Sequence, residues 1–396
     1  MIRLFLNGLA ASAGGGLTYL RNVVPHLSAR SDVQTTVALS PELRSEFGKL
    51  PNVNFLEVDS QPRAARRSWH EQNILPRLIQ QSHADVLISA GNFALRKSPV
   101  PQILLSRNAL YTSKDFFHDL RARRDYRIWL DTRMKAIFAK RSISWADVTV
   151  APSEAFAREL RQWTGRGVLS IHHGFDRDKF FQDTTSLPSD VWNKLDAAQG
   201  SLRLLFVSHY NYYRNFETLL RAIPLLKARL GDRKVKLFLT CKLRSADNPG
   251  SYNAQRTSNL VRRLGLADQV VELGAIPYAL LHKVYRACDI YVSPAYAESF
   301  AHPLVEAMAS GLPIVASDLA VHHEICAAAA LYFDRFSAEE LAARVVEIAD
   351  SPKLRAELTG AGSRRSLDFS WAKHVLGLLA IVESWGRPGF RMRNAS

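Results

Sequence analysis

Two carboxylates, Glu298 and Glu306, are separated by seven residues in the stretch YVSPAYAESFAHPLVEAMASGLPIVAS at 291–317. The stretch reads as a strand end, a loop, a short helix and a second strand. Pro303 suits the first helical position, where its missing N–H is not needed. Gly311 can end the helix in a left-handed conformation, and Pro313 prevents its continuing. Ile314, Val315 and Ala316 then enter a buried strand. The first amides of the helix, those of Leu304 and Val305, together with the preceding loop, can face an anion such as a phosphate. Carboxylates beside a phosphate are explained if they hold hydroxyl groups, because each ionised carboxylate accepts several hydrogen bonds. A sugar on one side of a diphosphate and a ribose on the other meet that description. Taken singly, each glutamate has a plainer reading: Glu306 complements a helix dipole, and Glu298 is a solvated loop acid.

The phrase ESFAHPLVEAMASGLPIVAS, with Glu298 and Glu306 at its two marked positions, resembles the E-x7-E signature of retaining GT-B glycosyltransferases of the GT4 type (group 1). The resemblance implies that Glu298 contacts the donor sugar and Glu306 the donor ribose. It also implies that the backbone of Phe300, Ala301, His302 and Leu304 faces sugar and diphosphate. Family members commonly carry glycines where this chain has Ser299 and Ala301. Four further sites follow from the same resemblance. Arg214 stands where a lysine usually binds the diphosphate and can hold phosphate oxygens bidentately. His209 occupies a usual arginine position and supplies less charge at neutral pH. Gly274 and Ile276 match the loop that contacts the base through its backbone. In the first half, Gly14, Gly15 and Tyr19 resemble the glycine loop that approaches the donor phosphate or the acceptor, with Gly16 where a larger residue is common.

Three residues are placed by position alone. Arg107 and Asn108 follow a strand where relatives carry a histidine near the donor sugar, and Lys242 follows the strand at 235–240. Each is a candidate cleft contact, and Arg107 reads equally as an acceptor contact or a surface residue. The spacing of Gly14 to Gly16 is not that of a dinucleotide fingerprint. The sequence IHHGFD at 171–176 resembles the family's hinge motif, with Gly174 at a sharp turn; His172 and His173 read as structural. No metal-binding spacing is present, and no cofactor is expected beyond the nucleotide-diphosphate sugar as substrate.

Positioning these residues requires alternating elements. Strands are expected at 2–6, 35–40, 54–58, 86–89, 102–105 and 168–172, then at 204–208, 235–240, 270–273, 290–292 and 314–316. Helices fall at 17–27, 68–81, 152–163, 216–230, 256–264, 279–287 and 371–385. Such alternation implies parallel sheets with right-handed crossovers. A length of 396 residues exceeds what one core usually serves. The expected fold is therefore α/β, a GT-B pair of Rossmann-like doubly wound domains facing an interdomain cleft. The N-terminal, acceptor-side domain is expected at 1–180, a polar linker at 181–201 and the C-terminal nucleotide-sugar domain at 202–371. A C-terminal helix, 372–388, is expected to return to the first domain, followed by a disordered tail from Gly386.

Hydrophobic content of 47% and charged content of 22% describe a globular protein. The start is a poor signal peptide, no run is long enough to span a bilayer, and Cys241, Cys288 and Cys326 show no metal spacing and suit a reducing cytosol. A net charge of +15 calls for an anionic partner: nucleic acid, a membrane surface or a polyphosphate-bearing substrate. The charge concentrates at 121–141, with eight basic residues against two acidic ones. That segment reads either as an amphipathic helix facing an anionic membrane or as a helix packing its apolar side on the sheet with a solvated basic face. The combined expectation is a retaining, metal-independent glycosyltransferase, cytoplasmic or peripheral at the inner face of the membrane. It would move a sugar from a nucleotide-diphosphate donor to a glycan or lipid-linked acceptor in surface polysaccharide or glycolipid assembly. The alternatives are a catalytically silent sugar-nucleotide or nucleic-acid binding protein, or another GT-B enzyme such as an epimerase; nucleic acid is not the expected partner.

Overall fold

The computed structural model describes residues 1–11, 15–59, 64–247 and 252–385. Gly14, the expected end of the last helix at 386–388 and the tail beyond it lie outside the described residues. The chain forms two compact units. The first comprises 1–112, 130–174 and the C-terminal segment from Ser370; the second comprises 113–129 and 175–369.

In the first unit, strands β1 (Ile2–Asn7), β2 (Val33–Leu39), β3 (Val53–Glu57), β4 (Val86–Ser89), β5 (Gln102–Leu105), β6 (Val148–Ala151) and β7 (Leu169–Ser170) form one sheet in the order β3-β2-β1-β4-β5-β6-β7. In the second, β8 (Leu202–Phe206), β9 (Val235–Leu239), β10 (Val270–Glu272), β11 (Ile290–Ser293), β12 (Ile314–Ser317) and β13 (Ala330–Phe333) run in the order β10-β9-β8-β11-β12-β13. Neighbouring strands pair in parallel throughout. The short apolar runs at β4, β5, β11 and β12 are buried at every position, as strands covered by helices on both faces must be. Each sheet reverses its strand order once, at β1/β4 and at β8/β11, and ligands of such sheets bind beyond the carboxyl ends of the strands at that reversal. The glycine loop follows β1; the Arg214 loop follows β8, and Glu298 follows β11.

Two segments depart from the sequence reading, and a third had two readings open. Residues 113–129, expected within the first domain, are built into the second unit. There Arg123 pairs with Asp119 and Glu217 at 2.8 Å each and lies over the Tyr212 ring, its guanidinium carbon 4.3 Å from the centroid. The stretch expected as a plain linker contains the helix Ser189–Asp196. Finally, the helix Tyr126–Trp145 does not bury its large apolar residues on the sheet. Its buried residues are Thr132, Ala136, Ala139, Ser142 and Ile143, while Leu130, Met134, Ile137 and Phe138 are exposed.

The helix Trp371–Trp385 packs into the first unit's core, where Trp371, Val375, Leu378 and Leu379 join Tyr19, Leu20 and Val23 of the helix Gly15–Ser28. His374 ties this contact together. Its Nδ1 lies 2.9 Å from the His172 carbonyl, so it donates there, and its Nε2 then accepts from the Tyr19 hydroxyl at 3.0 Å. Gly174 is explained by proximity: its φ is not in the left-handed region, but a Cβ there would sit 2.0 Å from the Trp371 nitrogen. Gly174→Ala is expected to lower stability by about 3 kcal/mol, at the upper end of overpacking costs. A thermal midpoint unchanged from the parent would show that Ser370 and Trp371 can move aside.

Candidate active site

The second unit gathers its functional side chains beyond the carboxyl ends of β8, β11 and β12. The short 3-10 turn Tyr212–Arg214 ends at Asn215, whose backbone is left-handed (φ 54°, ψ 47°). Asparagine tolerates that region better than most residues. Its side chain is buried and laces three segments: Nδ2 donates to the Pro294 carbonyl at 3.1 Å and to the Arg335 carbonyl at 2.5 Å, and Oδ1 accepts from the Thr218 hydroxyl at 2.9 Å. The Tyr296 amide donates to the Tyr213 carbonyl at 3.0 Å. The loops after β8 and β11 are thus held side by side, and Arg214 meets Glu298 across them.

The Arg214 guanidinium donates from Nη1 to Glu298 Oε2, and its Nε, buried, has no partner among the described residues. Burial by itself would push the Glu298 carboxyl up; Arg214 outweighs it and holds the group below the ordinary glutamate range. Burial would likewise lower the Arg214 pKa, but Glu298 raises it further. The pair is therefore fully ionised. His209, in the same loop, is pushed down by burial and by Arg214 and is neutral at pH 7. Arg214 carries the loop's charge by itself.

Glu306 sits in the helix His302–Ala309, 5% exposed. Burial pushes its carboxyl up to about 7, the Tyr285 hydroxyl bond pulling in the opposite sense. Tyr285, from the helix Tyr278–Arg286, donates to Glu306 Oε2 at 2.9 Å. Gly274 takes the left-handed conformation (φ 82°), and the Lys242 side chain lies over it, with Cε 3.5 Å from where a Cβ would be. Ile276, two residues on, is half-buried.

The loop between the two glutamates turns at Ala301, with φ 67° and ψ 63°. This is one of the positions where family members commonly carry glycine. Its carbonyl accepts from the Leu304 amide at 3.0 Å, so that amide closes the first turn and does not stand ready for a ligand. Phe300 is buried against Phe369 and His302, with ring centroids 5.5 and 4.8 Å away, so its side chain anchors the loop.

His322 is a residue that the sequence reading passed over. It follows β12 and is fully buried. Its Nδ1 donates to the Ser317 carbonyl at 2.9 Å, and its Nε2 has no partner among the described residues. Burial pushes it down to about 4, while Glu298 and Arg214 both act on it electrostatically. It therefore presents a neutral lone pair beside the ion pair. The only sequence signal was its place after a strand end next to the sheet's reversal. Tyr285 had no signal at all.

In the first unit, Arg107 is committed to the protein. Its Nη1 donates to the Gly15 carbonyl at 3.3 Å, its Nη2 donates to the Ala90 carbonyl, and its guanidinium lies 4.6 Å from the Tyr19 ring centroid. It holds the glycine loop. Asn108 caps the short turn Ala109–Tyr111, accepting from the Leu110 amide at 3.0 Å. Gly16 packs against Ala11, whose Cα would be 3.1 Å from an added Cβ, whereas Gly15 has open space at that position.

The left-handed turn gives a testable contrast. Left-handed backbone costs an L-residue about 1–2 kcal/mol, and that relief offsets the extra freedom of glycine in the unfolded chain. Ala301→Gly is expected to hold or raise the urea midpoint. Ala307→Gly, buried in the same helix with ordinary geometry, should lose about 1 kcal/mol or more. Equal losses at the two positions would remove the assigned strain.

Residues 192–365 match the family model described as "Glycosyl transferases group 1", and residues 13–179 match "Glycosyltransferase Family 4". The D-inositol 3-phosphate glycosyltransferase 2 of Catenulispora acidiphila is 34% identical over 176 residues, 43% of this chain and 40% of that protein. The chain thus matches less than half the length of that relative. Among solved structures, sucrose-phosphate synthase from Thermosynechococcus elongatus aligns with a TM-score of 0.76 at 17% identity, over 97% of this chain and 99% of the other. Anabaena HepE in complex with UDP-glucose aligns with a TM-score of 0.71 at 16% identity, over 97% and 100%. With two parallel-sheet Rossmann-like units and family matches over both halves, the chain belongs to the group 1 glycosyltransferases of GT-B fold.

Proposed function

We propose that the protein is a retaining, metal-independent glycosyltransferase using a nucleotide-diphosphate sugar. The observation that carries this reading is the Arg214–Glu298 pair, held beside the Ala301 turn at the sheet's reversal, with the buried, Tyr285-bonded carboxyl of Glu306 on the adjoining helix. In this reading the bond between the anomeric carbon and the β-phosphate oxygen breaks as the acceptor oxygen attacks from the same face. The acceptor's proton leaves with the diphosphate oxygen. Arg214 stabilises charge on the departing diphosphate, which is electrostatic catalysis of the usual kind. Glu298 accepts hydrogen bonds from the donor sugar, Glu306 from the ribose, and the backbone at Gly274 and Ile276 meets the base. The neutral His322 offers the sugar a further acceptor.

The UDP-glucose complex of HepE makes uridine nucleotides the first donors to test. A glycan or lipid-linked acceptor in surface polysaccharide or glycolipid assembly, at the inner face of the membrane, fits a basic protein. The names of the relatives, D-inositol 3-phosphate glycosyltransferase and sucrose-phosphate synthase, add phosphorylated small acceptors to the screen. The decisive experiment is a transfer assay with nucleotide sugars against both acceptor classes. Absence of turnover, together with absence of thermal stabilisation by any nucleotide, would overturn the proposal.

Two variants test the roles. Arg214→Lys keeps a cation opposite Glu298 but loses the fork; a fall of about 100-fold in kcat with the fold preserved is expected, on the scale of removing one transition-state donor. Arg214→Ala should in addition lower the thermal midpoint, because it leaves Glu298 buried without its partner. Near-native turnover of the lysine variant would remove the assigned role.

Glu306 gives a pH signature. A folded pKa of about 7, against an ordinary 4.5, means that the folded state holds a proton the unfolded chain has released. The stability contribution of the neutral carboxyl is complete below about 4.5 and is lost as pH rises through about 7. Glu306→Gln stays neutral, so it should exceed the parent by up to about 3 kcal/mol at pH 8 and by little at pH 5, while binding nucleotide more weakly. Urea melts at the two pH values check the first part. Equal stability of parent and variant at pH 8 would place the carboxyl in a wetter environment.

A further inference from the structure

The helix Tyr126–Trp145 is built inside out. Its inward stripe is small or polar: Thr132, Ala136, Ala139 and Ser142, with Ile143 the one large exception. On the opposite side, Leu130 is 58% exposed, Met134 47%, Ile137 43% and Phe138 46%. Residues spaced by three and four positions share a helix face, so these four form one continuous stripe. A helix that needed only solvation would place lysine, glutamate or glutamine there. Arg133 and Lys140 run along one flank of the stripe, and Arg127 and Arg141 stand at its two ends, all exposed. The acid in this part of the helix, Asp131, is already paired with Lys135 at 2.6 Å.

We infer that this face docks on an anionic lipid bilayer, with the helix axis in the membrane plane. The apolar stripe enters the headgroup boundary, and the four basic side chains reach anionic headgroups, the arrangement of interfacial helices. No described helix is long and apolar enough to cross a membrane, so the contact is with the surface. A second copy of the chain is the poorer occupant, because apposing two such faces brings Arg127, Arg133, Lys140 and Arg141 against their own like charges in a protein of net charge +15. The inference stands apart from the transferase reading, since the stripe carries none of the residues assigned to the donor.

Co-sedimentation of the full chain with vesicles of phosphatidylcholine alone, and with vesicles containing one third phosphatidylglycerol, tests the docking. Binding is expected to the anionic vesicles and to weaken with salt. The variant Leu130→Ser/Met134→Ser/Phe138→Ser should bind about tenfold or more weakly, as loss of buried apolar area requires. Its thermal midpoint should match the parent's, because the three side chains are exposed. Nucleotide binding should also be unchanged, which separates failure here from failure of the transferase reading. No binding of the parent to anionic vesicles, or equal binding by parent and variant, would overturn the inference. So would light scattering that shows a dimer which the same substitutions dissociate.

Discussion

The ion pair of Arg214 and Glu298 is the constraint around which the second unit is arranged. Two charges held 20% and 12% exposed gain from their attraction only if their geometry is fixed from outside. The backbone supplies that fixation. Asn215 joins its loop to Pro294, Tyr296 joins back to Tyr213, and Thr218 holds the Asn215 amide in place. The pair is thus a preorganised charge arrangement, with a guanidinium that retains an unpartnered buried Nε. Preorganisation of this kind removes the reorganisation cost that water would impose on a leaving diphosphate.

The same loop is supported from beneath by a segment that comes early in the chain. Arg123 bridges Asp119 and Glu217 and lies over the Tyr212 ring, Tyr212 donates to Asp125 at 3.1 Å, and Tyr296 donates to Asp119 at 2.8 Å. Arg335 adds a contact to Asp115 at 2.9 Å. Residues on both sides of the Arg214–Glu298 pair, Tyr212 and Tyr296, are therefore tied to the segment 113–129. A change in that segment would act on the site through the position of the two loops.

The site also shows how a motif tolerates altered residues. Ala301 keeps the left-handed turn that glycine makes without strain, and the neighbouring packing of Phe300 on Phe369 and His302 holds the loop in place. Glu306 shows the converse: its helix is built from ordinary residues, but burial and a single tyrosine donor give its carboxyl an unusual proton affinity. One position adapts its backbone and the other its chemistry, and both face the same end of the sheet.

The sequence by itself determined the parallel α/β architecture, because short apolar runs alternating with amphipathic helices have no other economical way to be buried. Its likeness to the E-x7-E stretch and to neighbouring family motifs marked Arg214, Glu298, Glu306 and Gly274 as candidates, and the position of Gly311 after a helix accounts for its left-handed φ of 77°. What only the tertiary structure decided were the relations between residues far apart in the chain. The pairing of Arg214 with Glu298 spans 84 residues, and Tyr285 reaches Glu306 from another helix. His322 took its significance from the ion pair near it, and Arg107 turned inward to hold Gly15. The need for Gly174 arose from the backbone of Trp371, and the segment 113–129 joined the second unit. The orientation of the helix Tyr126–Trp145 belongs to the same class. Its composition fits either face inward, and only the folded chain shows Thr132, Ala136, Ala139 and Ser142 on the buried side. Local pattern fixes which elements form; burial, distance and charge compensation fix which of their atoms meet.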